Sequence, residues 1–471
     1  MMGQKSELVK YKIDALETTG DKISARAGLA PIARYLEATG ITKLLSRRFS
    51  FLKKHEKGTP IRSFFHQVLT FFIDGTDLSM SRFDHIKNEP SHAGIIETKE
   101  NYMISSHTAK RFFRGFSIVR VWLFRKVLKQ LFLWRINIEK PKLIKIGLDT
   151  MVMDNNDAKT REGVEPTYKK VKGFQPLQVY WGRYIIDTIF RNGKAHSNHG
   201  NHVSRVITDL VRLIRKYYNP DVPIVFIADT GFFDEQLLLL GERLEVGIIV
   251  GGKMFKDMKN HIGTLKEDTF SEFHKGRKSW KYLEFKDQRQ KWEKAWRLIY
   301  ACPMTDENGQ FILAFDRKDT VIYTNIGMEN KITKILLQME SEAAQYVSAE
   351  AIINTYHFRA CDELVNRALK NFGTERLPFK SFTSNAAYYY LMCIAFFMFE
   401  SFKYDIDCPG IEITWYAETF RRKVLDIAGK IVCTARRIIL KITKAIYERL
   451  DFSELWKKSI EVKKISPLPV A

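Results

Sequence analysis

Four side chains near the end of the chain have types and spacing that suit phosphate chemistry. The segment "YHFRACDELVNRALK" places Tyr356, Arg359, Glu363 and Lys370 three, four and seven residues apart. At about 100° per residue in an α-helix, the four fall within an arc of roughly 60°. One interpretation is a carboxylate held among phosphate-binding groups. The other is a solvated helix face, on which charged pairs stabilise by only ~0.2–0.5 kcal/mol each.

Two aspartates stand where predicted strands end. Asp149 ends "LIKIGLD" and Asp229 ends "PIVFIAD". Carboxylates beyond strand ends in an α/β sheet project into the crevice where ligands bind, so both could converge with Glu363. Three carboxylates suit a pair of Mg²⁺ ions, which prefer oxygen ligands and can activate the attacking oxygen and stabilise the leaving oxygen of a phosphodiester displacement. For either aspartate alone, a cap of a helix or turn is the commoner role.

Hydrophobic periodicity predicts the elements that must position these groups. Helical spacing runs through the first 140 residues, and strands then alternate with helices in the manner of an α/β layer with parallel pairing. Several strands without intervening helices follow, as if inserted, before helices return. The predicted regions are a helical region (1–140), the first part of the α/β layer (141–251), a β-rich segment (252–328), the second part of the layer with the Glu363 helix (329–405) and a basic helical C-terminal region (406–471).

The charge balance indicates a polyanionic partner. The 471 residues include 76 Lys and Arg against 54 Asp and Glu, a formal charge of +22, which favours nucleic acid first and an anionic membrane second. The longest apolar run, Ala386 to Phe399, has 14 residues, fewer than the ~18–20 needed to span a bilayer, and predicts a buried helix. Residues 111–145 carry ten Lys and Arg and one acid, which predicts a nucleic-acid contact surface, with a solvated helix face as the alternative.

The cysteines and the N-terminus bear on cellular setting. Five cysteines without C-x-x-C spacing argue against a zinc site and against a disulfide framework. The first residues contain no apolar segment of the kind that directs secretion. We therefore expect a reducing, cytoplasmic setting and no membrane partner.

These motifs together resemble a known family. The spacing Y-(2)-R-(3)-E-(6)-K resembles the signature of the insertion-sequence-four type of bacterial DDE transposases, and "GLDTMVMDNNDAK" and "IADTGFFDEQ" resemble the acidic motifs of that family. The resemblance covers roughly residues 141–405. It implies an RNase H-like catalytic core with a β-rich insertion, in which Asp149, Asp229 and Glu363 hold two Mg²⁺ ions, for which Mn²⁺ can substitute. Asp362 adjoins Glu363, but the signature spacing selects Glu363.

The resemblance also implies roles for the neighbouring side chains. Arg359 and Lys370 would hold DNA phosphates, and Tyr356 would hydrogen-bond a phosphate or stack on a displaced base. Three lysines of "YKKVKGFQPL", which we place on a loop near the crevice, would grip the DNA backbone, with a flexible charged loop as the alternative. These are Lys169, Lys170 and Lys172.

The implied function is cut-and-paste transposition of an insertion sequence, a mobile element. The protein would bind double-stranded DNA at terminal inverted repeats, pair two ends as a homodimer in a synaptic complex, hydrolyse a phosphodiester at each end and join the freed 3′-hydroxyl to target DNA. Release of the element through a DNA hairpin is left open. Two alternatives remain: a domesticated, non-catalytic DNA-binding protein and a metal-dependent nuclease on the same core.

Overall fold

Helices dominate up to residue 139, strands and helices share residues 144–324, and helices return from residue 331. The computed structural model describes residues 13, 15–53, 57–158, 160–196, 201–339, 344–434 and 437–466. The helices are α1 (Leu29–Thr39), α2 (Ile41–Arg48), α3 (Ile61–Asp74), α4 (Arg82–Lys87), α5 (Pro90–Ile95), α6 (Ser106–Arg114), α7 (Ile118–Glu139), α8 (His202–Tyr217), α9 (Glu235–Arg243), α10 (Lys256–Thr264), α11 (Lys331–Gln338), α12 (Ala344–Val347), α13 (Ala349–Phe358), α14 (Ala360–Phe372), α15 (Phe382–Ile406), α16 (Ala417–Phe420), α17 (Lys444–Arg449) and α18 (Phe452–Lys458). The strands are β1 (Lys22–Ser24), β2 (Ile144–Thr150), β3 (Met153–Asp154), β4 (Glu165–Pro166), β5 (Lys172–Phe174), β6 (Leu177–Trp181), β7 (Tyr184–Ile189), β8 (Ile224–Ala228), β9 (Gly247–Gly251), β10 (Ser271–Lys275), β11 (Lys278–Asp287), β12 (Trp296–Pro303), β13 (Thr320–Thr324), β14 (Gly429–Cys433) and β15 (Ile438–Ile442).

A nine-stranded mixed sheet forms the centre of the fold. Its order is β10-β11-β12-β13-β9-β8-β2-β6-β7. The pairs β2–β8 and β8–β9 are parallel, and the other neighbours are antiparallel. The parallel strands are almost wholly buried, as their continuous Ile, Val and Phe runs require for a sheet covered on both faces. The predicted α/β layer with some parallel pairing is confirmed.

The segment predicted as an insertion continues this sheet. Strands β10 to β13 join its edge through antiparallel pairing of β13 with β9, so that Ile322 faces Gly251 and Thr324 faces Ile249. The segment is β-rich as predicted. It also contains helix α10, which the sequence reading missed because the polar stretch "KDMKNHIGT" has only one buried apolar residue, Met258.

Helix α15 is the central helix of the molecule. It packs against α3, α6, α7 and β7, and one hydrophobic core extends from Ala27 to Ile465. Its 25 residues would by length and composition alone suffice to cross a membrane, but 89% of its apolar window is buried inside the protein. The prediction of a buried helix is confirmed, and the helices of the first 140 residues pack around it rather than forming a separate core.

The basic segment before the sheet is partly structural. Arg125 on α7 donates two hydrogen bonds to Asp187 on β7, at 2.7 and 2.5 Å, and Arg135 donates to Asp405 at 2.6 Å. Both arginines are buried, and a buried cation is stable only when it is paired. The predicted DNA-contact surface is therefore wrong for these two side chains. The exposed cations of the segment include Arg111, Arg114, Arg120 and Lys126.

The C-terminal region is not uniformly helical. The stretch predicted as one basic helix contains the hairpin β14–β15, in which Ile431 faces Leu440 and Gly429 faces Ile442. Strand β1 pairs with β14 and completes a three-stranded sheet. Isoleucine-rich stretches such as "IILKI" favour a pleated, half-buried strand, which prevailed over the helical spacing of the cations.

Candidate active site

The signature segment is two helices rather than one. Helix α13 ends at Phe358, α14 begins at Ala360, and Arg359 lies between them in a tight turn. The N–H of Arg359 donates to the carbonyl of Tyr356 at 3.1 Å, and the N–H of Asp362 donates to the carbonyl of Arg359 at 2.8 Å. The predicted continuous stripe is therefore wrong. Glu363 is an exposed residue near the start of α14, where the positive end of the helix dipole favours a carboxylate.

The two aspartates lie side by side at the ends of adjacent parallel strands. Leu148 of β2 is in register with Ala228 of β8, so Asp149 and Asp229 come next on the two strands. The Oδ1 atom of Asp149 accepts the N–H of Thr150 at 2.7 Å. Asp229 caps the turn that follows β8, because its Oδ1 atom accepts the N–H of Gly231 at 2.9 Å. Capping thus occupies one oxygen of Asp229, and the residue still lies in the crevice at the strand ends.

The pKa of Asp149 responds to the charges of the other two predicted acids. Burial raises the pKa of Asp149 to about 6, and the negative charges of Asp229 and Glu363 act in the same direction, while the Thr150 amide and the charge of Arg359 oppose them. Asp149 thus lies close enough to Asp229 and Glu363 for both charges to act on it. The catalytic and metal-binding roles of these three acids remain predictions.

A fourth acid, Asp362, lies beneath this site. It is only 9% exposed, and its pKa is raised to about 7, first by burial and then by the charge of Asp149. Its carboxyl group fills the space above Gly147 of β2, where a Cβ atom would stand 2.7 Å from Cγ of Asp362. Gly147 therefore allows the start of α14 to lie directly against the sheet.

Helix α13 uses a second glycine in the same way. A Cβ atom on Gly251 of β9 would stand 2.7 Å from Oγ1 of Thr230 and closer still to the hydroxyl of Tyr356. Tyr356 is only 8% exposed, and hydrogen bonds join it to Thr230 and Arg359. Its ring is thus not available for stacking on a displaced base, and that part of the prediction is wrong. Its hydroxyl instead joins α13 to the turn after Asp229.

Arg359 is directed toward the acids. Its guanidinium carbon lies 5.6 Å from the ring centroid of Tyr356, and its charge lowers the pKa of both Asp149 and Asp362. Its Nε atom is buried and has no hydrogen-bond partner among the residues that the structure describes. A buried guanidinium N–H without a partner beside three acids is suited to an anionic ligand such as a phosphate.

Lys370 stands apart from this group. Its Nζ atom forms an ion pair with Glu375 at 2.8 Å, and Glu375 also accepts the N–H of Asp154 at 3.2 Å. As placed, Lys370 joins the end of α14 to the loop after β3 rather than pointing freely at a ligand. A phosphate contact by Lys370 would require this pair to open.

The predicted basic loop lies over the site. Strands β4 and β5 form a hairpin whose turn carries Lys169 and Lys170, and Lys172 begins β5; all three lysines are exposed. At the same turn, Tyr168 is 61% exposed, and its pKa is raised first by burial and then by the charges of Asp149, Asp229 and Glu363. The charges of the three acids thus reach this loop. Tyr168 begins the basic run "YKKVK" and was placed with the lysines near the crevice, but only the lysines were predicted to bind DNA.

Asn366 is the other residue that the sequence reading missed. Its Nδ2 atom donates to Oδ2 of Asp149 at 3.0 Å, and its Oδ1 atom accepts the hydroxyl of Tyr180 at 2.5 Å. The available signal was its spacing, because residues three apart on a helix share a face and Asn366 follows Glu363 by three. An asparagine carries no charge, so the search for acids and cations did not select it.

The donor set suits a hard divalent cation. Three carboxylates supply only oxygen ligands, which Mg²⁺ prefers, and their mutual repulsion is the kind that a bound cation relieves. As placed, no three Asp, Glu, His or Cys side chains within the described part of the chain stand close enough to hold an ion. The residue types fit a metal, and the carboxylates would have to draw together around it.

Comparison with known proteins identifies the family. A cryo-electron microscopy structure of a piggyBac transposase synaptic complex with hairpin DNA is similar at 11% sequence identity, with a TM-score of 0.31, over 84% of this chain and 85% of that chain. A search of curated proteins finds no match. The family described as transposase DDE domain group 1 matches residues 6–461, nearly the whole chain. The protein therefore belongs to this family of DDE transposases.

Proposed function

We propose that the protein is a cut-and-paste DNA transposase of an insertion sequence and that Asp149, Asp229 and Glu363 are its catalytic acids. The observation that carries the proposal is the meeting of these three charges at the ends of β2 and β8 and on α14. A chain with a formal charge of +22 has no structural need for three mutually repelling carboxylates at one place. Membership of the DDE transposase family agrees with this reading.

The proposed core is RNase H-like. Within the sheet, the order β7-β6-β2-β8-β9 places the first strand of the core in the middle, with antiparallel neighbours on one side and parallel neighbours on the other. This arrangement puts two of the acids on adjacent strand ends and leaves α14 to supply the third. The match of "YHFRACDELVNRALK" to the insertion-sequence-four signature supports that bacterial subgroup.

Divalent metal is the proposed cofactor. Asp149, Asp229 and Glu363 would hold Mg²⁺, in two ions, or Mn²⁺ in its place. When bound, the metal supplies charge stabilisation at the attacking and leaving oxygens of a phosphodiester. A ligand set of three carboxylates differs from that of structural zinc sites, which are built from Cys and His.

The chain's own side chains would bind and align the DNA. Arg359 would donate its buried N–H groups to a phosphate next to the scissile bond. The lysines of the β4–β5 hairpin would contact backbone phosphates on the open side of the crevice. Tyr168, which is exposed and close to the acids, is placed to contact the nucleotide at the cleavage point.

The reaction has two phosphoryl transfers. In the first, water attacks the phosphorus at the element end, the P–O bond to the 3′ oxygen breaks, and that oxygen leaves as a 3′-hydroxyl. In the second, this hydroxyl attacks a target phosphodiester and displaces a target 3′ oxygen. Neither transfer changes an oxidation state or requires a covalent enzyme intermediate. Because two ends must react together, we propose a homodimer in a synaptic complex with terminal inverted repeats.

Cleavage of a labelled duplex that carries the terminal repeat tests the proposal. Wild-type protein should nick at the repeat boundary when Mg²⁺ or Mn²⁺ is present. Glu363→Gln keeps the side-chain size but removes the charge, so it should bind the DNA and not cut. Glu454→Gln, a partly exposed change on α18, serves as the matched control and should cut normally.

Three other outcomes decide against the proposal. Binding by both proteins without cleavage under any metal favours a non-catalytic DNA-binding protein. Cleavage without joining of the 3′ end to a target favours a nuclease. Normal cleavage by Glu363→Gln removes Glu363 from the site.

A further inference from the structure

We propose that Asn366 and Tyr180 are positioning residues that fix the orientation of the Asp149 carboxylate for metal binding. The inference rests on the proposed function, since it assigns Asp149 a metal to bind. Three elements meet at this point: β2 carries Asp149, β6 carries Tyr180 and α14 carries Asn366. The hydrogen bonds among these three residues do not involve the signature residues Tyr356, Arg359, Glu363 and Lys370.

The side chains of Tyr180, Asn366 and Asp149 form a short hydrogen-bond relay. The hydroxyl of Tyr180 donates to Oδ1 of Asn366 at 2.5 Å, and Nδ2 of Asn366 donates to Oδ2 of Asp149 at 3.0 Å. The other carboxylate oxygen, Oδ1, accepts the N–H of Thr150 at 2.7 Å. Each oxygen of Asp149 is thus held by one donor. Because a carboxylate oxygen has two lone-pair sites, each oxygen keeps one site for a metal ion.

The chemistry of the three groups sets the direction of the relay. An ionised carboxylate only accepts hydrogen bonds, so the asparagine must present its NH₂ end to Asp149. Its carbonyl end then faces Tyr180, whose hydroxyl must donate. Tyr180 is 1% exposed, so water does not compete for this contact. The ionised carboxylate therefore excludes an amide oxygen facing it, and the hydroxyl of Tyr180 supplies the donor that the amide carbonyl then needs.

The relay also ties two acids to one helix. Glu363 and Asn366 are three residues apart on α14, so the helix that carries one acid orients another. Gly147 of β2 faces Tyr180 of β6 in the antiparallel register, which brings the tyrosine next to the strand that ends in Asp149. A lysine or arginine at that position would neutralise the charge of the carboxylate. The neutral amide of Asn366 holds the carboxylate and leaves its charge unchanged.

Direct metal binding tests the inference apart from activity. Mn²⁺ titration of the full-length protein without DNA, followed by electron paramagnetic resonance, gives a dissociation constant. Partners that orient a metal ligand typically contribute about 10–100-fold to affinity, so Asn366→Ala should raise the Mn²⁺ dissociation constant by about that factor. Tyr180→Phe keeps the ring and removes only the hydroxyl donor, so it should also weaken Mn²⁺ binding, by a smaller factor. This second variant keeps the inference testable if Asn366→Ala fails to fold.

The same helix offers a matched control. Asn371 is also on α14, but its Oδ1 atom accepts the N–H of Glu418 at 3.0 Å, at the start of α16. Asn371→Ala should leave Mn²⁺ affinity unchanged. Higher Mn²⁺ concentration should restore DNA cleavage by Asn366→Ala, which a folding defect would not allow.

The outcomes separate the inference from the proposed function. If wild-type protein binds Mn²⁺ and cuts DNA while Asn366→Ala and Tyr180→Phe bind Mn²⁺ as tightly as Asn371→Ala, the positioning role is overturned and the transposase proposal stands. If wild-type protein neither binds Mn²⁺ nor cuts, the proposed function fails and the inference fails with it.

Discussion

Replacing Gly147 by alanine should disable the site while leaving the protein folded. The added Cβ would stand 2.7 Å from Cγ and 2.8 Å from Oδ1 of Asp362 and closer still to Oδ2. Ordinary contacts between carbon atoms are about 3.5–4.0 Å, so Asp362 must shift by roughly 1 Å. Because its side chain is short and buried, we expect the start of α14 to shift with it. Overpacking of this kind costs about 1–3 kcal/mol of stability.

The effect on catalysis should be as large as the upper end of the effect on stability. Glu363 is the next residue on α14, so it moves with Asp362. A misplacement of about 1 Å at a catalytic group costs on the order of 100-fold in rate, equivalent to about 2.7 kcal/mol of activation free energy. Initial rates of terminal-repeat nicking at saturating Mg²⁺ measure the first quantity, and urea unfolding of the same preparation measures the second.

Two further variants identify the cause. Gly263→Ala is the control, because a Cβ there meets nothing within 4 Å. Asp362→Ala removes the carboxyl atoms that the new methyl group would strike, so Gly147→Ala should cost little in the Asp362→Ala background. The reasoning is refuted if Gly147→Ala cuts at the wild-type rate, or if its cost is the same with and without the Asp362 carboxyl group.

Three further predictions concern the cations. Arg125→Ala removes the two-bond partner of the buried Asp187 and leaves only the longer ion pair with Lys129 at 3.5 Å, so it should lower the free energy of unfolding by up to about 3–5 kcal/mol, measured by urea unfolding, with no change in the salt dependence of DNA binding per folded molecule. The double variant Lys169→Ala/Lys170→Ala should instead leave stability unchanged and reduce the slope of log affinity against log salt by about 2, one for each lost phosphate contact, measured by fluorescence anisotropy. Arg359→Lys keeps the charge but loses the planar fork, so it should lower the cleavage rate more than DNA affinity, and equal losses of both would contradict a role at the scissile phosphate.

The sequence was most informative about the acids. Asp149 and Asp229 each end a buried apolar run, and parallel pairing of β2 with β8 then places them together without help from distant contacts. Glu363 could be selected only by its spacing from Tyr356, Arg359 and Lys370. The helix break at Arg359 was not readable, because "YHFRACDEL" contains no proline or glycine to mark it.

Charge patterns were less reliable because sequence does not show which cations are paired. Arg125 and Arg135 belong to a run with one nearby acid, Glu139. Arg135 pairs with Glu139 but also with Asp405, and Arg125 pairs with Asp187; these two aspartates lie 270 and 62 residues away. Lys370 was read as a phosphate ligand and pairs with Glu375. Asn366 and Tyr180 escaped notice for the opposite reason, since neutral hydrogen-bonding groups have no pattern until the fold brings them together.

Helix α14 is held from outside the sheet as well as by it. Its start lies on Gly147, its middle is joined to Asp149 through Asn366, and its end is held by Arg421. The guanidinium of Arg421 donates to the carbonyl of Phe372 at the end of α14 and to the carbonyls of Phe72 and Ile73 at the end of α3. A cation at two helix C-termini satisfies carbonyls that lack partners within the helices. Helix α3 thus helps, through Arg421, to hold the end of the helix that carries Glu363. Removing α3 would take away two of the carbonyl partners of Arg421 and would expose the apolar surface of α15 that α3 covers.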